Sequence, residues 1–161
     1  MLENIVKRKL SISKLKDDID YCVDLFNNDF DPYGYHLDVI DSFVNCFTTK
    51  ELKEMAINSL KEKTEKLKQK KEDYSRNEYI NYNIECIFKI YMDMEEYELA
   101  IKYFIKNYIE KFKEIKIYIL LNLIDKYELD ELWIKVYEGN EIKYRDSLVE
   151  EYNKKIKKVG K

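Results

Sequence analysis

Leu15-Lys16-Asp17-Asp18-Ile19-Asp20-Tyr21-Cys22-Val23-Asp24-Leu25-Phe26 decides the fold class and poses the main functional question. Leu15, Ile19, Cys22, Val23 and Phe26 recur at steps of three and four, the spacing that gathers side chains on one face of an α-helix. At 100° per residue, Asp17, Asp20 and Asp24 form a stripe on the opposite face. The same segment therefore predicts an amphipathic helix and an acidic outer surface.

Downstream, Asn27 to Tyr35 breaks the pattern, with Pro32 suited to the second position of a turn and Gly34 to its end. A second helix is expected from about His36 to Phe47, with Leu37, Ile40, Phe43, Val44 and Phe47 inward and Asp38, Asp41 and Asn45 outward. Thr48-Thr49-Lys50-Glu51 matches a capping box and starts a third helix. Its stripe of Leu52, Met55, Ala56 and Leu60 thins until only Leu67 interrupts the charges between Lys61 and Asp73, which predicts a solvated helix or a connector.

Ser75-Arg76-Asn77-Glu78 is a second capping box. It opens a helix facing inward through Ile80, Ile84, Ile87, Phe88 and Tyr91. After a break at Asp93 to Glu96, a helix through Phe112 carries Tyr97, Ala100, Ile101, Phe104, Ile105 and Tyr108. Glu114 to Tyr127 is apolar nearly all round and is expected at the centre of the fold. Leu132 to Tyr137 marks a short helix ended by Gly139, placed as a left-handed C-terminal residue. A last helix from about Asn140 to Lys158 points Ile142, Leu148, Val149, Tyr152 and Ile156 inward.

Three glycines and one proline in 161 residues leave little for strands and tight turns. The expected fold is an all-α compact bundle of about seven or eight helices in one domain, residues 1–161. Within it lie acidic N-terminal helices (1–49), a charged long helix or connector (50–74) and stacked helical hairpins (75–161). At 45% hydrophobic and 38% charged, the chain is too apolar for disorder, and its charge is that of long helices with salt-bridged outer faces.

Ile87-Phe88 with Tyr91, followed by Met94-Glu95-Glu96-Tyr97-Glu98-Leu99-Ala100-Ile101-Lys102-Tyr103-Phe104, resembles a degenerate tetratricopeptide hairpin over about residues 80–112. The resemblance implies that a small residue at Ala100 lets two helices approach while Tyr91, Tyr97 and Phe104 wedge around it. It also implies protein binding rather than catalysis. The family's glycine is replaced by Phe88, no trailing proline follows, and no second copy appears about 34 residues on.

Catalytic and ligand-binding signatures are sparse. His36 is the one histidine, and Cys22, Cys46 and Cys86 are scattered, with Cys22 and Cys46 on or beside apolar faces where a thiol is inert packing. That set lacks metal-ligand spacing and favours a reducing cytoplasm over a disulfide scaffold. Asp29-Phe30-Asp31-Pro32-Tyr33-Gly34 opens like a calcium loop, but Tyr33 at position five and Ile40 at position twelve break the pattern. No glycine-rich phosphate loop occurs, so no cofactor is expected. The longest apolar run, Ile117 to Leu121, is too short to span a membrane, and the N-terminus lacks the apolar stretch of an export signal.

Charge segregation is the strongest functional signal. Asp17, Asp18, Asp20, Asp24, Asp29, Asp31, Asp38 and Asp41 contain every charge between Asp17 and Thr49, so this segment carries −8 against a net −3 for the chain. The plain alternative is an ordinary solvated face, against which stands the lack of interspersed lysine, since unrelieved like charge destabilises a fold. The expectation is a non-enzymatic, cytoplasmic protein-binding module, an inhibitor or immunity-type protein similar in style to small bacterial immunity proteins and phage-encoded inhibitors. Asp17, Asp20, Asp24, Asp29, Asp31, Asp38 and Asp41 would dock on a basic protein surface, such as that of a toxin, nuclease or defence protein. The alternatives are a nucleic-acid-binding regulator using Lys61–Lys71 and the tail Lys154–Lys161, and a helical enzyme of unfamiliar type.

Overall fold

The computed structural model describes residues 12–29, 36–110, 113–140 and 144–160, the side chains of 12–14, 28–29, 36–39 and 113–114 excepted. The expected turn at Pro32 and Gly34, the calcium-like loop and the His36 side chain lie outside the described residues. Among those described the chain is all-α. Eight helices follow one another: α1 (Ile12–Asp29), α2 (His36–Asn45), α3 (Lys50–Lys68), α4 (Tyr74–Asp93), α5 (Tyr97–Asn107), α6 (Lys113–Asp125), α7 (Asp130–Glu138) and α8 (Asp146–Val159). Contacts gather into two units, Met1–Ile109 and Glu110–Lys161, so the stretch expected as one stack from residue 75 is shared between them.

In the first unit, α4 packs against α2, α3 and α5, and α1 packs against α3. The stripes that make α1 and α2 helical meet here: Ile19, Cys22, Val23 and Phe26 share a core with Ile40, Phe43, Val44 and Phe47. Phe26 stacks on Phe43 at 4.6 Å, and Phe43 meets Phe47 edge-on at 5.2 Å. Ten residues of α4 are buried, which makes it the centre of this unit. The apolar α6, expected at the centre of the whole fold, belongs to the second unit.

Beyond Leu60 helix α3 takes the form of a solvated helix, one of the two alternatives expected, with Glu62, Glu65 and Lys66 exposed, but one face stays packed. The helix continues to Lys68 with Thr64 and Leu67 buried. Thr64 tolerates burial because its hydroxyl donates to the Leu60 carbonyl at 2.7 Å. Lys61 donates to the Tyr91 hydroxyl at 2.7 Å and lies 5.0 Å from the Tyr103 ring centroid, so its stem extends the packed face that the apolar pattern leaves thin.

Both capping boxes are displaced. The α3 cap is Thr49, whose hydroxyl accepts from the Leu52 amide at 3.1 Å, so Glu51 falls one residue too early for the box. The α4 cap is Asp73, accepting from the Arg76 amide at 2.8 Å, which leaves Ser75 inside the helix. Gly139 has a φ of −78°, not the expected left-handed value. Among the described residues the left-handed positions are Glu95 and Glu128, with φ of 60° and 56°. Helix α5 stops at Asn107, short of Phe112, and the chain then runs to Ile109, whose backbone is clamped by the Asn81 amide through bonds of 2.7 and 2.8 Å.

One buried polar contact joins α1 to α4. Asn27 and Asn83 exchange side-chain hydrogen bonds of 3.0 and 2.9 Å, and Asn27 also donates to the Val23 carbonyl at 2.8 Å. Asn83→Ala strands the Asn27 carbonyl oxygen in the core and is expected to cost about 2 kcal/mol in urea denaturation. Replacing both asparagines by leucine removes the stranded oxygen together with its side chain and should recover most of that loss. A double variant no better than the single one would show that packing, not hydrogen bonding, sets the cost.

In the second unit, α7 packs against α6 and α8. Ile117, Leu120, Leu121, Leu123 and Ile124 are buried, as are Trp133, Ile134 and Val136. Helix α8 departs from expectation in which face it buries. Val149 and Ile156, expected inward, are 38% and 41% exposed, while Lys155 is 7% exposed. The Lys155 ammonium bonds Asp125 at 2.6 Å and Asp130 at 2.9 Å, and lies 5.3 Å from the Trp133 ring centroid. Beside it, Tyr137 stacks on Trp133, Tyr144 and Tyr152 at 5.4, 4.0 and 4.3 Å. These rings and the buried lysine turn α8 by its polar stripe, which hydrophobic periodicity alone does not register.

Candidate protein-binding face

Helix α1 builds the candidate face because its inward stripe is pinned by the core described above. Pinning one side fixes the other: Asp17, Tyr21 and Asp24, at i, i+4 and i+7, lie along the outward side. Asp17 is exposed, Tyr21 is 52% exposed, and the Asp24 side chain is 57% exposed. An exposed tyrosine between two carboxylates is a feature that the charge count missed. It was legible, since Tyr21 interrupts the acidic stripe at an outward position.

The other predicted residues divide. Asp20 turns toward α3: it accepts from the buried Ser59 hydroxyl and pairs with Lys16 at 2.9 Å. Burial alone would raise the Asp20 carboxyl, but these two donors outweigh it and hold it below the usual carboxylate range. Its expected place on a wholly solvated stripe is therefore corrected, because α3 runs alongside α1 and supplies a hydroxyl. Asp41 stays outward, 60% exposed, and pairs with the buried Lys89 of α4. Asp29, Asp31 and Asp38 lie outside the described side chains.

Lysines absent from the acidic segment reach it from α3 and α4, and from the first turns of α1 itself. Lys63 pairs with Asp24 at 3.2 Å, and Lys16 and Lys89 pair with Asp20 and Asp41. These contacts relieve the like-charge repulsion that the sequence leaves unbalanced. An ion pair with a carboxylate as exposed as Asp24 contributes about 0–1 kcal/mol, so a competing cation can replace the lysine.

Between α1 and α3 runs a cleft of about 70 Å³ lined by Asp20, Asp24, Ser59, Glu62, Lys63 and Lys66. It is far below the roughly 300–1,000 Å³ of a cofactor or drug-sized site. Among the described residues no group of three or more His, Cys, Asp or Glu is placed to hold a metal. Cys22, Cys46 and Cys86 are buried thiols outside any disulfide, and burial pushes the Cys22 thiol up to about 11. A protonated buried thiol is neither a ready nucleophile nor a metal ligand. No described helix is long and apolar enough to cross a membrane.

The lysine clusters that suggested nucleic-acid binding are engaged in part, while Lys66, Lys70, Lys71, Lys154 and Lys157 stay exposed. Lys61 lies on tyrosines, Lys63 pairs with Asp24, and Lys68 bonds Glu65 and Asn107. In the tail, Lys155 is buried and Lys158 pairs with Asp130 at 2.9 Å. The chain matches no protein-family model, and no curated protein or solved structure is detectably similar to it.

Proposed function

We propose that this chain is a non-enzymatic protein-binding module, a small inhibitor or immunity-type protein that seats a basic surface of its partner on the outward face of α1. The observation that carries the reading is the exposed Tyr21 between Asp17 and Asp24. Tyrosine is enriched at binding hot spots because it buries a large rigid ring at low entropic cost, and carboxylates around it steer a basic partner. Asp41 adds a further outward charge, and Lys63 is positioned to yield Asp24 to a partner's arginine. Asp29, Asp31 and Asp38 remain candidate contacts from sequence alone. The engagement of Lys61, Lys63, Lys155 and Lys158 favours this reading over nucleic-acid binding.

The test compares affinity capture from the native cell by the wild-type chain and by a variant carrying Asp17→Asn, Tyr21→Ala, Asp24→Asn and Asp41→Asn. Asp20 is left intact because it bonds Ser59. Circular dichroism checks the fold. A protein partner captured by wild type and lost from the variant is the expected result. Equal capture by both, or capture abolished by nuclease treatment, contradicts it.

A further inference from the structure

Helix α8 carries a second apolar edge besides the one that holds Lys155. Val149, Ile156 and Val159 are 38%, 41% and 40% exposed, and with the half-buried Tyr152 they follow the i, i+3, i+7, i+10 spacing of a coiled-coil seam. Along the adjoining outward strip, at successive turns, lie Asp146, Glu150, Asn153 and Lys157, all exposed. No ion pair joins Asp146, Glu150 or Lys157 to any other described residue, in contrast to Glu151, Lys155 and Lys158, which are engaged within the unit. The strip is thus acidic at the helix start and basic near its end, with the uncharged Asn153 between.

We propose that this edge of α8 is a homodimer contact in which a second copy of the chain lays its own α8 antiparallel across it. Only that orientation sets the acidic half of one helix against the basic half of the other. Glu150 then faces Lys157 of the second copy, the twofold axis passes near Asn153, and one substitution acts twice, as in any isologous interface. A parallel pair would set Glu150 on Glu150 and Lys157 on Lys157, which repel. One 14-residue helix per copy gives an interface below the ~1,000 Å² of a stable complex, so the dimer is a weak, concentration-dependent one.

Sedimentation equilibrium of the full chain over micromolar to millimolar concentration tests this, with charge reversal as the control on geometry. Wild type should dimerise, Ile156→Glu should abolish the dimer, and Glu150→Lys or Lys157→Glu alone should weaken it by about tenfold. The double variant E150K/K157E should regain the wild-type constant, because the antiparallel pairs are rebuilt with their signs exchanged. In a separate check, Asn153→Cys should cross-link two copies on mild oxidation. A chain that stays monomeric throughout overturns the proposal. So does a dimer indifferent to Ile156→Glu, or one that the double charge reversal does not restore.

Discussion

Ala100→Glu is expected to cost the first unit about 4 kcal/mol or more, enough to unfold a marginal domain. Ala100 has no exposed surface and sits one turn before the buried Phe104, whose ring meets Phe88 of α4 edge-on at 5.7 Å. Any longer side chain forces α4 and α5 apart, and a carboxylate adds the cost of removing a charge from water. Thermal and urea denaturation followed by far-ultraviolet circular dichroism read the loss. A melting temperature unchanged from wild type would remove the close helix approach that the tetratricopeptide-like pattern implies, and the resemblance with it.

Lys155→Ala is expected to destabilise the second unit by about 3 kcal/mol. The variant leaves the Asp130 side chain, 13% exposed, with Lys158 as its remaining partner and strips the stem from the Trp133 ring. The cost sits at the low end for a buried pair because the Asp125 side chain is 49% exposed and water screens it. Trp133 is the sole tryptophan, so its fluorescence reports this unit alone. Lys155→Met keeps the stem and should lose less, which separates packing from charge.

Protonation adds a second readout. Burial would lower the Lys155 ammonium, but its bonds to Asp125 and Asp130 outweigh that and raise it above the ordinary lysine value. Its contribution is therefore complete below about pH 10 and lost as pH rises through the folded value. Asp130 is held low by donation from Lys158 and Lys155, so its share is present above about pH 4 and lost as pH falls through its folded value. Wild type should show a stability plateau between these limits. Lys155→Ala should remove its own share of the alkaline edge and leave that of Tyr137, Tyr144 and Tyr152, whose phenols burial raises.

The α1 and α2 helices were legible because one residue type did one job: Ile19, Cys22, Phe26, Ile40 and Phe43 are apolar, evenly spaced and buried. Legibility failed where polar groups are satisfied inside the protein. Thr64 fills an inward position through its own helix carbonyl, Lys155 fills one through two carboxylates, and the Asn27–Asn83 exchange spans 56 residues of sequence. Caps were misplaced by one or two residues because Thr48, Thr49, Asp73 and Ser75 all have the right chemistry, and only the helix start distinguishes them. At the candidate face the sequence revealed the carboxylates but not their relief, since Lys63 and Lys89 come from helices whose packing on α1 and α2 no local pattern encodes.

The most direct test of the proposed binding role is the dissociation constant of the captured partner as a function of salt, measured for wild type and for the variant with Asp17, Tyr21, Asp24 and Asp41 replaced. An acidic face that steers a basic surface predicts fast association that slows steeply between about 50 and 500 mM salt, with the variant weaker and nearly insensitive to salt. An affinity that is the same in both proteins and flat in salt would contradict the account and move the contact off α1.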